Sequence, residues 1–432
     1  MPQDSTTPDH AAVKQPTRPR LRDIMGPGLI TGASDDDPSG IATYSQAGAQ
    51  FGYDMGWTLL LTFPLMAAIQ QVAAWTGRVT GRGLAGNLRR HVPRPVLYAV
   101  VGLMVVANTI NIGADLGAMA AALQLLVGGP QLAYVAAFAV LTVLLEVFVR
   151  YSRYVTVLKW LTLSLFAYVA TVLVAGVDWP EAGLRLVVPH LQWSGDYLTV
   201  VVAVFGTTIS PYLFFWQAEQ EVEDTQERSG AKPLLRAPEQ AGPELRRVQT
   251  DTYLGMAFSN LIALCIVLTT AATLHAHGLT DIQTSSQAAE ALRPIAGRFA
   301  FVVFAAGIVG TGLLALPVLA GSAAYATGEA LGWHVGLARR PGHARAFYAA
   351  IAAATAAGAL LNVAGIDPVR ALFWSAVVNG VVAVPVMAAM MVLACRPAVM
   401  GRFTLGRTLQ GLGWAATAVM AAAVVVMFAT SF

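Results

Sequence analysis

The chain has 432 residues, of which 56% are hydrophobic and only 12% charged, about half the charged share of an ordinary soluble domain. Its two cysteines, Cys265 and Cys395, both fall in apolar blocks, which excludes a disulfide framework and a thiolate metal site. A net charge of +3 is too small to indicate a polyanionic partner, and no nucleic-acid contact is expected; the placement of the charges says more than their sum.

Residues 1–23 are polar, proline-dotted and lack an apolar signal region, and they read as a disordered tail. From residue 24 the chain is a succession of apolar blocks long enough to cross a bilayer. Eleven spans are expected, near 24–51, 54–77, 96–126, 131–149, 154–176, 197–218, 252–274, 298–327, 346–364, 368–394 and 408–430. With the N-terminus cytoplasmic, every Lys and Arg except Arg185, Arg293, Arg298 and Arg370 falls on the cytoplasmic side. A miscounted span would invert everything after it and destroy that bias. The expectation is therefore an all-α polytopic protein of the cytoplasmic membrane, C-terminus outside, with 24–432 as one transmembrane domain.

The first span is interrupted by Asp35-Asp36-Asp37-Pro38-Ser39-Gly40. An Asp at the centre of a spanning helix costs roughly 2.5–3.5 kcal/mol on insertion scales, against a few tenths returned by a Leu. Three such residues do not face lipid. Pro38 removes a backbone donor and pushes Asp37 out of the α region, which predicts a broken helix whose carboxylates and freed carbonyls turn to a cation. The sixth span carries its own break at Phe205-Gly206-Thr207-Thr208-Ile209-Ser210-Pro211-Tyr212. Breaks at spans one and six divide the chain into two five-span halves of opposite orientation, 24–176 and 197–394, with 408–430 as an extra helix. Matched interruptions of this kind point to a transporter's binding site.

The residues around the first break carry a resemblance. Gly26-Pro27-Gly28, Asp37-Pro38-Ser39-Gly40-Ile41-Ala42-Thr43 and Gln46-Ala47-Gly48-Ala49 resemble the GPG, DPGN and ATDIQAGA segments of the Nramp divalent-metal transporters. Gln70-Gln71-Val72-Ala73-Ala74 and Val79-Thr80-Gly81-Arg82 are similar to the next span's Gln-Ser-Leu-Ala run and VTGR turn, and Asp115 matches the Asp of a TDLAE stretch. The resemblance covers most of spans one to ten and is strong in the first two. It implies a LeuT-like 5+5 inverted repeat, alternating access and a metal site between broken helices one and six. The chain departs from the family at Gly40 (for Asn), Ser210 (for Met), Tyr212 (for His) and Ala118 (for Glu). These replacements are similar to those of the Nramp-related magnesium transporter branch.

The chemistry of the site residues points the same way. Thioethers favour softer transition metals, whereas carboxylates, carbonyls and water suit hard cations. The expected metal set is Asp37, Asp36, Gly40, Thr207 and Ser210, all oxygen donors or space-making residues. Mg²⁺ dehydrates reluctantly and keeps several waters, so small residues at 40 and 210 fit it. Asp35, Asn108, Asn111, Asp115, Tyr212 and Asn379 are candidate ion-path residues. Asn108, Asn111 and Asp115 share one helix face, a pattern that equally fits a helix–helix contact. No histidine sits mid-span, so no proton relay is evident. Transport of Mg²⁺ or Mn²⁺ without proton coupling is expected, by a monomer whose partners are the ion and the bilayer, with no cofactor beyond the transported metal. Proton-coupled Mn²⁺/Fe²⁺ transport and sodium-coupled transport of an organic solute on the same fold are the alternatives. An enzyme is not expected: HExxH, P-loop and GxSxG patterns are missing. A channel is disfavoured by the paired breaks.

Overall fold

The computed structural model describes residues 27–149, 165–339 and 341–431. The N-terminal tail, Gly26, residues 154–164 of the expected fifth span and the basic residues Arg150, Arg153, Lys159 and Arg340 lie outside the described residues. Among those described, all regular structure is helical, and nine stretches are long and apolar enough to cross a membrane. The first of these, Pro38–Thr80, holds two helices joined by the 3₁₀ turn Gly52–Met55.

In chain order the helices are α1 (Pro27–Asp35), α2 (Pro38–Phe51), α3 (Gly56–Thr80), α4 (Leu84–His91), α5 (Arg94–Val127), α6 (Gln131–Phe148), α7 (Phe166–Val174), α8 (Trp179–Val187), α9 (Gly195–Thr208) and α10 (Pro211–Glu227). There follow α11 (Ala241–Thr273), α12 (Ser285–Glu290), α13 (Ala300–Leu331), α14 (Arg345–Leu361), α15 (Pro368–Ala394) and α16 (Arg407–Ser431). Both expected breaks are present. Each is two residues long, Asp36-Asp37 and Ile209-Ser210, and each is followed by a proline at the first position of the next helix. A proline there loses nothing, because the first N–H groups of a helix have no intrahelical acceptor; one turn further in it would cost about 3 kcal/mol.

Each broken helix lies along an unbroken one from the other half. Helices α1 and α2 follow α11 in parallel: Gly28 N–H donates to Asp251 Oδ2 at 2.6 Å, Gly32 meets Gly255, Asp35 accepts from Ser259 at 2.7 Å, and Gly48 meets Val267. Helices α9 and α10 follow α3: Trp57 Nε1 donates to Tyr197 at 2.9 Å, and Gln70 Nε2 donates to the Leu213 carbonyl at 2.9 Å and to Gln217 Oε1 at 2.6 Å. Helix α5 packs against α13, α14 and α15 and closes the bundle around the breaks. The LeuT-like architecture is thus visible in which helix splints which.

Two crossings depend on glycine. A methyl group on Gly32 would collide with the Gly255 backbone, and one on Gly206 with the Ala376 carbonyl and Gly380 backbone.

The stretch from Glu219 to Asp251 mixes acids, bases and prolines, a composition that suggests a solvated cytoplasmic connector, but the connector in the fold is much shorter. Helix α10 continues to Glu227 and α11 starts at Ala241, and Glu219, Glu221 and Asp251 are buried. The charges sustain these helices by pairing: Arg247 with Glu221 at 2.6 Å and the buried Arg78 with Glu244 at 3.1 Å. Buried charges persist when partnered in this way.

Gly206→Ala is expected to destabilise the fold by about 1–3 kcal/mol through overpacking, lowering the thermal unfolding midpoint in detergent. Gly102→Ala, where nothing lies within 4 Å, is expected to leave it unchanged or raise it.

Candidate metal-ion site

The two breaks meet inside the bundle. A Cβ built on Gly40 would stand 3.3 Å from Thr207 Oγ1 and 3.4 Å from the Asp35 carbonyl, so the absent side chain at 40 lets the segments approach. Tyr44 OH and Thr208 Oγ1 hydrogen-bond at 3.1 Å, and Tyr212 OH donates to the Ser34 carbonyl at 3.3 Å. The last carbonyls of α1 and α9 have no intrahelical donor, and the negative ends of both helix dipoles converge there. Such ends favour cations.

Asp37 is the N-cap of α2. Its Oδ1 accepts from Ser39 Oγ at 2.6 Å and from Gly40 N–H at 2.8 Å, and its Oδ2 accepts from Asn111 Nδ2 at 2.9 Å. Asn379 Nδ2 stands 3.5 Å from Asn111 Oδ1. Asn111 and Asn379 therefore join Asp37 as a connected oxygen-rich set contributed by α2, α5 and α15. Asp35 and Asp36 turn elsewhere. Ser259 Oγ lies 2.7 Å from Asp35 Oδ2 and 3.1 Å from Asp36 Oδ1. One hydroxyl carries one proton, so it serves one carboxylate at a time. The other oxygens of both residues have no hydrogen-bond partner among the described residues, although each residue is only 1% exposed.

The remaining expected residues divide clearly. Ser210 Oγ donates back to the carbonyls of Gly206 (3.0 Å) or Thr207 (2.9 Å), closing the end of α9 and leaving its lone pairs for another donor or an ion. Asn108 donates to the Leu319 carbonyl and Ser322 Oγ, which is a helix–helix contact with α13. Asp115, one turn beyond Asn111, is fully buried with no donor on either oxygen among the described residues. The same α5 face continues to Met119, whose thioether packs against Gly312 beside Pro38. Met119 stands two turns, about 12 Å of helix rise, from Asn111. Among the described residues no three His, Cys, Asp or Glu side chains gather as a ready-made metal cage. Within the hydrogen-bonded set Asp37 brings the charge, and the Ser39, Asn111 and Asn379 oxygens joined to it are neutral.

Sequence reasoning did not single out Ser259. Its only signal was a hydroxyl beside Asn260 in an otherwise apolar stretch, and nothing local to it indicated which of the three aspartates it would face. The bundle holds further acids besides Asp115: Glu146, Glu219, Glu221 and Asp251 are buried in helices, and Glu329 is half-buried.

A multi-pass membrane protein with two proline-terminated helix breaks around a buried carboxylate is a broken-helix transporter fold. The chain belongs to the Nramp family: the family model described as "Natural resistance-associated macrophage protein-like" matches residues 28–430. It is 25% identical over 403 residues to the divalent metal cation transporter MntH of Klebsiella pneumoniae subsp. pneumoniae, covering 92% of this chain and 91% of that protein. A shorter match, 25% over 305 residues, covers 69% of this chain and 71% of the MntH of Yersinia pestis. Its fold is similar to the crystal structure of the Eremococcus coleocola manganese transporter, with a TM-score of 0.70 at 16% identity over 96% of this chain and 88% of that one. It is also similar to MHP1, a nucleobase-cation-symport-1 family transporter in a closed conformation, with a TM-score of 0.58 at 14% identity over 94% and 93% of the two chains.

Removing the Ser259 hydroxyl leaves two buried carboxyl groups without their shared donor, at a cost of about 1–3 kcal/mol. Ser259→Ala is expected to lower the unfolding midpoint, and Ser259→Thr to preserve it, as measured by thermal unfolding in detergent.

Proposed function

We propose that the protein carries hard divalent cations, Mg²⁺ or Mn²⁺, across the cytoplasmic membrane by alternating access and without moving protons. The observation that carries this reading is the hydrogen-bonded set around Asp37, in which every atom is oxygen or amide nitrogen. A single carboxylate with neutral oxygens and room for retained water suits Mg²⁺ and Mn²⁺ better than softer metals. The relatives named as divalent metal cation transporters support the substrate class. The metal set of the reading is Asp37 with the break carbonyls, the Ser210 hydroxyl and the space at Gly40; Asp36, with Asp35 on Ser259, sits beside it.

Asp115 and Glu146 are buried acids without a hydrogen-bond partner among the described residues, but no histidine sits mid-span to relay a proton. That favours uncoupled movement down a gradient. The Lys and Arg bias supports a cytoplasmic N-terminus and an external C-terminus. The same reading takes 24–176 and 197–394 as the inverted halves, 408–430 as an added helix, and the monomer as the working unit.

In proteoliposomes Asp37→Ala is expected to abolish Mn²⁺ uptake, while gel filtration shows a folded protein; undiminished uptake would remove Asp37 from the site. Mg²⁺ is expected to compete with Mn²⁺ in the wild type. Strong Cd²⁺ transport with no Mg²⁺ competition would overturn the hard-cation reading. A pH dye in the lumen is expected to stay silent during metal flux, and acidification that tracks the metal would show coupling.

A further inference from the structure

A second pair of carboxylates, one buried and one half-buried, stands well away from the break. Helix α10 carries Glu219 two turns beyond Tyr212 on the same face, and α13 carries Glu329 two turns beyond Ser322. At that spacing, about 10 Å of rise, both acids extend the faces that carry Tyr212 and Ser322 toward one end of the bundle. Between the two levels sits an aromatic pair, Trp216 against Tyr325, with centroids 6.3 Å apart; Trp216 is fully buried.

The two carboxyl groups converge on one point of backbone. A methyl group on Gly83 would collide with both Glu219 Oε1 and Glu329 Oε2. Glu329 accepts from Gly83 N–H at 3.0 Å and Gly86 N–H at 2.7 Å, which caps α4. Glu219 has no such support: it is 3% exposed, and Oε1 has no donor among the described residues. Both line a cavity of about 230 Å³ that also takes in Glu223, Glu227, Arg82 and Arg339, leaving the acids in excess. At about 30 Å³ per water, that space holds roughly seven waters, enough for a cation that keeps most of its shell.

We infer that Glu219 and Glu329 form a second binding site for a hydrated divalent cation, separated from the central break by the Trp216–Tyr325 pair. Two adjacent carboxylates repel unless they share a proton or hold a cation between them. Mg²⁺-type ions are commonly held by one or two carboxylates with the remaining ligands water. The Gly83–Gly86 amides fix Glu329, and the cavity supplies the water. The site goes beyond the central one and does not depend on it.

Mn²⁺ binding to the full-length purified chain, counted by the EPR signal of the free aquo ion, tests the inference. Two ions per chain are expected in the wild type and one in Asp37→Ala. Adding Glu219→Gln to Asp37→Ala is expected to remove that remaining ion. Retention of the ion by the double variant, or an Asp37→Ala chain that is monodisperse and binds none, would overturn the second site. Should the double variant aggregate, Glu219→Asp in the same background replaces it: weakening of at least tenfold supports the site, and unchanged affinity overturns it. A wild type that binds one ion, lost in Glu219→Gln and kept in Asp37→Ala, would confirm the second site and remove the central one.

Discussion

The architecture turns on a carboxylate that has two obligations. Asp37 must cap α2, because a helix start has no preceding turn to satisfy its amides, and Gly40 N–H donates to its Oδ1 for that purpose while the Ser39 hydroxyl holds the same oxygen. Its other oxygen reaches across to Asn111. The residue that ends one segment and begins the next is thus also the residue that presents charge to the interior. Replacing it by another helix cap of similar size would keep the first duty and lose the second. Structure and chemistry are coupled at one side chain because a helix start inside a membrane has no water to lean on.

The paired breaks and most spans were legible in the sequence because their signals are local and expensive. Three aspartates and a proline in an apolar run admit few interpretations, and Pro211 repeats the device. The hydrophobic blocks were equally plain, since bilayer thickness sets their length. The partners of the break residues were not legible. Nothing within the sequence around residue 37 says that Asn111 faces it, or that Ser259 faces Asp35 and Asp36. Those contacts join residues 74 and more than 220 positions apart and depend on how helices from the two halves pack.

Composition also misled in one direction. Acids after Glu219 read as a solvated connector because charge density ordinarily marks water. In the fold they remain helical, held by Arg78, Arg228 and Arg247. Opposite charges that pair inside a bundle look in one dimension like charges that face solvent. The contrast between Asn108 and Asn111 makes the same point at finer grain. The two residues lie one turn apart on a single face, yet one binds α13 and the other Asp37, because the neighbours differ across a single helical turn.

The splinting of α1 by α11 has a mechanical consequence. The short helix is tied near its start, where Gly28 N–H meets Asp251, and at its end, where Asp35 meets Ser259, with the glycine crossing between. It cannot swing alone as a free lever. Either α11 travels with it, or both polar ties release in a medium where a stranded carboxylate is costly. Any motion at this end of the molecule therefore involves a two-helix plank, and its polar latches are two hydrogen bonds that flank a close backbone crossing.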